Sequence, residues 1–218
     1  MAQTSSGLPA IGRVALAEHV SNAIYENLLN LTITPGGRIN IEAIARQLEV
    51  SPTPVREALA RLEAEELVVK RPMAGYLAGP LMTVDMLIDL IDLRLHIEPW
   101  LARTAAAVTD KRLRQSVKML LADAAAPNRS AAAARLDAAV HDQIAAVAGN
   151  ESARQVLQRL KPQYHTYRFL ATHNVVTDPL RDHRSLADAI AAGDPRAAQQ
   201  EMRTHLAEAR SRILAANT

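Results

Sequence analysis

The stretch VSPTPVREALARLEAEELV, residues 50–68, constrains the fold more than any other part of the sequence. Ser51 is a residue type that caps helix N-termini, and Pro52 follows at the first helical position, where a missing N–H costs nothing. Pro54 also lacks an N–H, so we expect the Ser51 side chain to accept a hydrogen bond from Thr53. The two prolines therefore predict where a helix begins.

The same helix has two distinct faces. Val55, Leu59 and Leu62 recur at helical spacing and predict a buried stripe. Thr53 and Arg56 then lie on another face, close to the N-terminal end. The pattern predicts a helix that displays an arginine outward near its start.

The neighbouring segments predict the rest of a winged helix. Val20, Ile24 and Leu28 recur at helical spacing, and a second helix is expected from Ile41, after the turn sequence TPGGR. Two β-prone segments, LVVKR and GYLA, then predict a hairpin with Gly75 at its tip. Three helices followed by a hairpin make a winged helix-turn-helix.

The remainder of the chain predicts an all-helical domain. Aromatic residues make up only 3% of the sequence, which favours a mainly α protein. We expect a loose tail over residues 1–14, the winged helix over 15–80 and a helical bundle over 81–218, with one large helical domain as the alternative. Helical periodicity predicts helices over residues 84–107, 110–124, 130–148, 152–172, 179–192 and 195–215.

Several classes of protein are excluded or disfavoured by composition. The chain has no cysteine, which removes disulfide frameworks, thiolate metal sites and cysteine nucleophiles. No apolar run approaches the roughly 18 residues that span a bilayer, and the N-terminus lacks the features of a signal peptide. We therefore expect a cytoplasmic protein whose site chemistry comes from His, Asp, Arg and Ser.

The first candidate site is a DNA-binding surface. In helix-turn-helix proteins the second helix of the pair enters the major groove and uses its N-terminal residues, here Thr53 and Arg56. Residues 1–80 carry seven Lys and Arg against eight Asp and Glu, so this region is not basic overall. An ordinary solvated helix face is therefore the alternative interpretation of the same residues.

The order of residues resembles a known family. SPTPVREALARLEAEELV resembles the recognition-helix signature of the GntR family of bacterial transcription regulators, and TPGGRINIEAIARQLEV resembles its upstream helix. The resemblance implies a winged helix-turn-helix that binds operator DNA. The DNA-binding residues that we expect are Ser51, Thr53, Arg56, Arg46, Lys70, Arg71 and Gly75.

Two positions depart from the pattern of many relatives. Pro52 stands where they have arginine or another polar residue, and Glu42 stands where some have arginine. Because fewer cations then contact phosphate, we expect a shallower salt dependence of DNA binding than for a strongly basic protein.

The second candidate site combines one aspartate with three histidines. Asp137 and His141 are four residues apart and project from one face of a helix, while His183 and His205 lie on two later helices. Three imidazoles and one carboxylate suit Zn²⁺, Ni²⁺ or a similar divalent ion and leave positions for other oxygens. Unconnected polar residues on separate helices are the alternative.

A second resemblance bears on these four residues. DAAVHDQIAAVAGN and DHRSLADAIAAGDPRAAQQEMRTHL resemble the FCD effector domain of the FadR-type GntR subfamily. Metal-binding members of that subfamily carry an aspartate, a histidine four residues later and two further histidines. The resemblance implies that Asp137, His141, His183 and His205 bind a divalent metal.

The predicted effector site lies next to the metal. LIDLRLHIEPWLARTAAAV resembles the start of the FCD domain, in which Arg94 and Glu98 are characteristic. Arg94 is predicted to pair with a carboxylate of a small effector, and an ion pair with Glu98 within the helix is the alternative. Arg168 and Asn174 are further candidates for effector binding.

The predicted function is a ligand-responsive transcriptional repressor. A small carboxylate bound near the metal is expected to change the operator affinity of a homodimer, because two recognition helices on one duplex need fixed spacing. The alternatives are a metalloenzyme that uses the same Asp/His site and a DNA-binding protein with a purely structural metal. The residues near His141 supply no evident general base, which disfavours catalysis.

Overall fold

The computed structural model describes residues 10–122 and 130–217. These residues form two compact units that divide between Pro80 and Leu81. They are mainly helical, with one small sheet, which confirms the predicted fold class. No helix among the described residues is long and apolar enough to cross a membrane.

The first unit is a winged helix-turn-helix. Its elements are α1 (Ala10–Leu29), α2 (Ile41–Gln47), α3 (Pro52–Ala64), β1 (Val68–Arg71) and β2 (Gly75–Ala78). β1 and β2 pair antiparallel, with Arg71 opposite Gly75 at the end of the hairpin. The unit is held together by packing of α1 against α3, where Val20, Ile24, Val55 and Leu59 are completely buried.

Two details of this unit differ from the sequence-based prediction. α1 begins at Ala10, inside the stretch that we assigned to a loose tail. Ser51 is the N-cap of α3 as predicted, but its side chain caps no backbone N–H. With two prolines in the first turn, few donors are left for it.

The second unit is a bundle of helices. Its elements are α4 (Val84–Ala107), α5 (Lys111–Ala122), α6 (Ser130–Ala148), α7 (Glu151–Leu160), α8 (Pro162–Thr172), α9 (Pro179–Ala192) and α10 (Pro195–Ala216). α10 packs along α4, α6 packs between α4 and α8, and α9 packs against α5 and α10. α4, α6, α9 and α10 thus enclose a common core.

The helix predicted over residues 152–172 is in fact two helices. Pro162 has no N–H for the carbonyl of Gln158, and its ring clashes with a continuing helix. Lys161 takes a left-handed conformation with φ of 46°, and α8 restarts at Pro162. The break turns α8 toward α6, which positions part of the site described below. Residues 123–124 of the helix predicted over 110–124 lie outside the described residues.

Candidate functional site

The predicted DNA-binding residues of the helix-turn-helix lie on its surface. Ser51, Thr53 and Arg56 are exposed around the first turns of α3, and Arg46 is exposed in the last turn of α2. The nearest charged group to Arg56 is Glu42, with 3.6 Å between Arg56 Nη2 and Glu42 Oε1. Both side chains are more than half exposed, so this ion pair is weak and leaves the guanidinium available.

The remaining three predicted DNA-binding residues lie in the hairpin. Lys70 and Arg71 are exposed on β1, and the Lys70 ammonium lies 5.6 Å from the centre of the Tyr76 ring. Gly75 has a φ of 78°, which favours glycine because it has no Cβ, and the turn before it presents Met73 fully to solvent. The hairpin therefore offers two cations and a narrow tip.

The second unit brings Asp137, His141, His183 and His205 together in its core. One ligand-type atom from each of the four lies within 4.8 Å of all the others, and all four residues are buried. The Nε2 atom of His141 is 3.2 Å from the Nε2 atoms of both His183 and His205, and 3.4 Å from Oδ1 of Asp137. Three separate helices thus contribute to one cluster.

Hydrogen bonds outside the cluster orient two of the imidazoles. The Nδ1–H of His183 donates to the carbonyl of Pro179 at 2.8 Å, since a carbonyl can only accept. Nδ1 of His141 contacts the carboxylate of Glu98. With the protons on Nδ1, the Nε2 atoms of His141 and His183 present lone pairs to each other. Two facing lone pairs repel unless a cation or a proton lies between them.

Buried polar atoms of the cluster also lack partners. Among the described residues, nothing donates to Asp137 Oδ1, while Asp137 Oδ2 accepts from the hydroxyl of Tyr167 at 3.1 Å. His205 Nδ1 has no hydrogen-bond partner within the described part of the chain. An unsatisfied buried carboxylate oxygen beside lone-pair nitrogens is costly. The donor set therefore fits a divalent cation, which would satisfy these atoms together.

The protonation states agree with this fit. Burial lowers the pKa of His183 and the pKa of His205, and the second is well below its usual value. Burial alone would raise the pKa of Asp137, but His183, His141 and Arg94 lower it overall. Near neutral pH the cluster thus contains neutral imidazoles at these two positions and an ionised carboxylate, which are the metal-binding forms.

Arg94 lies beside this cluster and is almost completely buried. Its Nε donates to Oε1 of Glu98 at 2.5 Å, and its Nη2 lies 3.2 Å from Nε2 of His141. Burial lowers the pKa of Arg94, but Glu98 more than offsets this and raises it. Burial would raise the pKa of Glu98, whereas Arg94 and His141 bring it to about 2. The ion pair within α4 is therefore present, and Arg94 also reaches the cluster.

A small cavity adjoins the cluster between α4, α8 and α10. It has about 10 Å³ of space for the centre of a water-sized molecule, which is room for about one water. Leu170 and Ala209 contribute apolar surface, and the other lining residues carry polar groups: Arg94, Asp137, Gln163, Thr166, Tyr167, Thr177, His205 and Arg212. A cavity with these polar groups beside the Asp/His cluster can bind a small ligand that has both polar and apolar parts.

The structure does not bring the other two predicted effector residues to this cavity. Arg168 is buried, but its guanidinium lies 5.7 Å from the Tyr164 ring on a different face of α8, about 100° around the helix from Tyr167. Asn174 is exposed in the turn after α8, where its φ is 55°. Neither lines the cavity wall.

Several residues of the site were not singled out from the sequence. Glu98 was named only as an ion-pair partner of Arg94, although it also contacts His141. Arg212 follows His205 by seven residues, so helical spacing would have placed both on one face. Tyr167 reaches Asp137 only because α8 is a separate helix, and no spacing rule indicates that.

Asp142, the carboxylate next to His141 in sequence, is engaged elsewhere. It accepts hydrogen bonds from Nε and Nη2 of Arg154, both at 2.8 Å, and from Gln158 at 2.6 Å. The hydrogen bonds from Arg154 lower the pKa of Asp142 despite partial burial. This carboxylate is not placed to act as a base at the cluster.

Comparison with known families assigns both units. The FCD domain family matches residues 89–208, and the family described as bacterial regulatory proteins, gntR family, matches residues 16–77. Together these matches cover the helix-turn-helix and the four residues of the Asp/His cluster.

Two curated relatives have similar sequences. The "Probable D-xylose utilization operon transcriptional repressor" of Paenarthrobacter nicotinovorans is 28% identical over 199 residues, which are 89% of this chain and 87% of the relative. The "Nta operon transcriptional regulator" of Aminobacter aminovorans is 32% identical over 133 residues, 58% of this chain and 63% of the relative.

Solved structures share the fold. McbR/YncC of E. coli has a TM-score of 0.70 at 16% identity, with 93% of this chain and 99% of that chain covered. A putative GntR transcriptional regulator from Rhodococcus sp. RHA1 has a TM-score of 0.65 at 20% identity, with coverages of 92% and 98%. At these identities the similarity supports the fold alone.

Proposed function

Since this chain belongs to the GntR family of transcriptional regulators with an FCD domain, we propose that it represses transcription under the control of a small carboxylate. The carboxylate would bind beside a divalent metal in the helical unit and change the affinity of the winged helix for operator DNA. The observation that carries this proposal is the buried cluster of Asp137, His141, His183 and His205 next to Arg94 and a polar cavity.

The proposed DNA contacts follow from exposure and position. Arg56 projects from the start of α3, where a guanidinium can bind guanine in a bidentate way or contact phosphate. Lys70 and Arg71 in the hairpin would contact the backbone nearby, and Arg46 adds a cation on α2. Because Glu42 lies close to Arg56, it offsets part of the positive charge at this surface.

The proposed metal is Zn²⁺ or Ni²⁺, held by the three imidazoles and by Asp137. This mixed set of nitrogen and oxygen donors suits a borderline divalent ion. When bound, such an ion acts as a Lewis acid that accepts oxygen ligands from a small acid. The Nε2 lone pair of His141 cannot bind a cation and accept from Arg94 together, so metal binding would free one nitrogen of Arg94.

The proposed effector is a small carboxylate because a guanidinium binds carboxylates best. Arg94 supplies the guanidinium, and the cavity wall supplies neutral donors such as Gln163, Thr166 and Tyr167. A ligand with several heavy atoms exceeds the room for one water, so α4, α8 and α10 would have to move apart to admit it. Regulation requires that the effector binds one arrangement of these helices more tightly than the other.

The direction of regulation rests on a relative. The Paenarthrobacter protein, which aligns with 89% of this chain, is named a probable repressor. We therefore propose repression as the default, with the effector releasing the operator. Membership in the FadR subfamily stays a prediction.

We also propose a homodimer, formed through the outer face of α4. Met86, Leu93 and Trp100 are spaced by seven residues and are 51%, 40% and 46% exposed, which makes an apolar stripe along one side of the helix. Asp89 lies toward the start of this face and Arg103 toward its end. Antiparallel pairing of two such helices about a two-fold axis brings opposite charges together and buries the stripe.

Substitution of Arg56 tests the DNA surface. Arg56→Ala should weaken binding to a DNA site selected by the wild-type protein from a random library by about 1–3 kcal/mol, because one base or phosphate contact is lost. A gel-shift titration measures the affinity, and circular dichroism checks folding. Arg61→Ala, an exposed arginine at the other end of α3, is the matched control. Full affinity of Arg56→Ala would contradict the assignment.

Removal of two histidines tests the metal site. His183→Ala combined with His205→Ala should abolish the bound metal, because only Asp137 and His141 remain as ligands. Elemental analysis after loading with zinc or nickel and dialysis measures the metal-to-protein ratio. His19→Ala with His96→Ala, two exposed histidines, is the control and should retain about one metal per chain. An unchanged ratio in the first pair would rule out this site.

A thermal-shift scan tests the effector site. Metal-loaded protein is screened against small carboxylates and sugar acids, and a ligand at about 100 times its dissociation constant should add about 2.7 kcal/mol, or roughly 5–15 °C. Arg94→Gln should lose the shift, whereas Arg203→Gln, an exposed arginine on α10, should keep it. Stabilisation by metal with no response to any acid would favour a purely structural metal.

A charge on the α4 stripe tests the dimer. Trp100→Glu should convert the protein to a monomer, because each chain would bury an unpaired carboxylate in the apolar stripe. Sedimentation velocity measures the mass. Val176→Glu places the same charge at an apolar residue that is 92% exposed outside α4, and should leave the mass unchanged. A dimeric Trp100→Glu variant would place the interface elsewhere.

A further inference from the structure

Glu98 uses both oxygens of its carboxylate in the core of the second unit. It lies one turn after Arg94 on α4 and is 2% exposed. Oε1 accepts from Nε of Arg94, while Oε2 contacts Nδ1 of His141 on α6. A single buried carboxylate therefore joins the predicted effector arginine to a predicted metal ligand.

The contact with His141 decides which nitrogen of the ring faces the cluster. A neutral imidazole carries one proton, and a carboxylate acceptor at Nδ1 holds the proton there. Nε2 is then left as a lone pair, 3.2 Å from Nε2 of both His183 and His205. Without that acceptor, the tautomer with a proton on Nε2 becomes accessible, and this proton would point into the cluster.

The other two imidazoles lack a comparable partner. His183 is oriented by the neutral carbonyl of Pro179, and His205 Nδ1 has no hydrogen-bond partner among the residues described. A charged carboxylate is a stronger hydrogen-bond acceptor than a neutral carbonyl, so it holds the proton on Nδ1 more firmly. Nε2 of His141 also lies 3.2 Å from Nε2 of each of the other two rings, so the tautomer of His141 affects both contacts.

We propose that Glu98 is a positioning residue that holds His141 in the tautomer able to bind metal. Arg94 weakens this hold because it binds the same carboxylate. This inference rests on the proposed metal site. Arg94 and His141 both donate hydrogen bonds to the carboxylate of Glu98. When the ion pair between Arg94 and Glu98 weakens, Glu98 therefore becomes a stronger hydrogen-bond acceptor for His141. An effector carboxylate that pairs with Arg94 would therefore strengthen the metal site, and by linkage the metal would strengthen effector binding.

The test compares two substitutions that break the same ion pair. Zinc affinity of the full chain is measured by competition with a chromophoric chelator. Glu98→Gln should weaken zinc binding about ten- to a hundredfold while one zinc per chain still binds at saturation. Arg94→Gln removes the other half of the pair but keeps the bond to His141, so zinc affinity should be unchanged or higher. Asp92→Asn, exposed on α4, is the control.

If the ion pair only stabilises the fold, the two substitutions should have the same effect on zinc affinity. In that case Glu98→Gln and Arg94→Gln would lower zinc affinity alike, through loss of folding, and the inference would be wrong. If Glu98→Gln does not fold, the double variant Arg94→Met with Glu98→Met replaces the pair by apolar groups of similar size. This variant should also lose zinc affinity, and wild-type affinity would overturn the proposal.

A second measurement does not depend on zinc. Nitrogen-15 NMR of the metal-free protein should show His141 with its proton on Nδ1, and Glu98→Gln should shift the ring toward the other tautomer. An unchanged tautomer would contradict the positioning role.

The metal site and the role of Glu98 can fail separately. If His183→Ala with His205→Ala leaves zinc bound, the proposed site itself fails. If that pair abolishes zinc while Glu98→Gln has no effect, only the role of Glu98 fails.

Discussion

The mutual approach of three imidazoles and a carboxylate in an apolar core is the constraint on which the second unit depends. Lone pairs on His141 and His183 face each other at 3.2 Å, and Asp137 presents an oxygen that accepts no hydrogen bond from the described residues. In a low-dielectric interior this arrangement is unfavourable without positive charge. α6, α9 and α10 are packed so that these groups meet next to Arg94, and this donor set fits the divalent cation that we propose.

The residues around this cluster orient its imidazoles, donate a hydrogen bond to its carboxylate or carry a positive charge. Pro179 and Glu98 orient two imidazoles from outside, and Tyr167 satisfies one oxygen of Asp137. Arg94 places a positive charge between the cluster and the polar cavity. Because the cavity has room for about one water, a larger ligand must separate the helices around it, which links ligand binding to the arrangement of the bundle.

Helical spacing in the sequence predicted the parts of the site that depend on one helix. Asp137 and His141 are four residues apart, and the resemblance to FCD domains added His183 and His205, which the structure brings to the same point. Arg168 and Asn174 do not line the cavity, because their positions depend on the break at Pro162 and on the turn after α8, and their role in effector binding stays a prediction. The contact between Glu98 and His141 joins two helices, so no spacing within one helix could indicate it. The fold was more predictable, since proline marks the starts of α3, α8, α9 and α10 and glycine follows α6 and α9.

The most direct measurement is a crystal structure of zinc-loaded protein with anomalous diffraction recorded on both sides of the zinc absorption edge. We predict one anomalous peak per chain, within about 2.0–2.2 Å of Oδ1 of Asp137 and of one ring nitrogen from each of His141, His183 and His205. A peak at any other place, or no peak within the cluster at saturating zinc, would contradict the account.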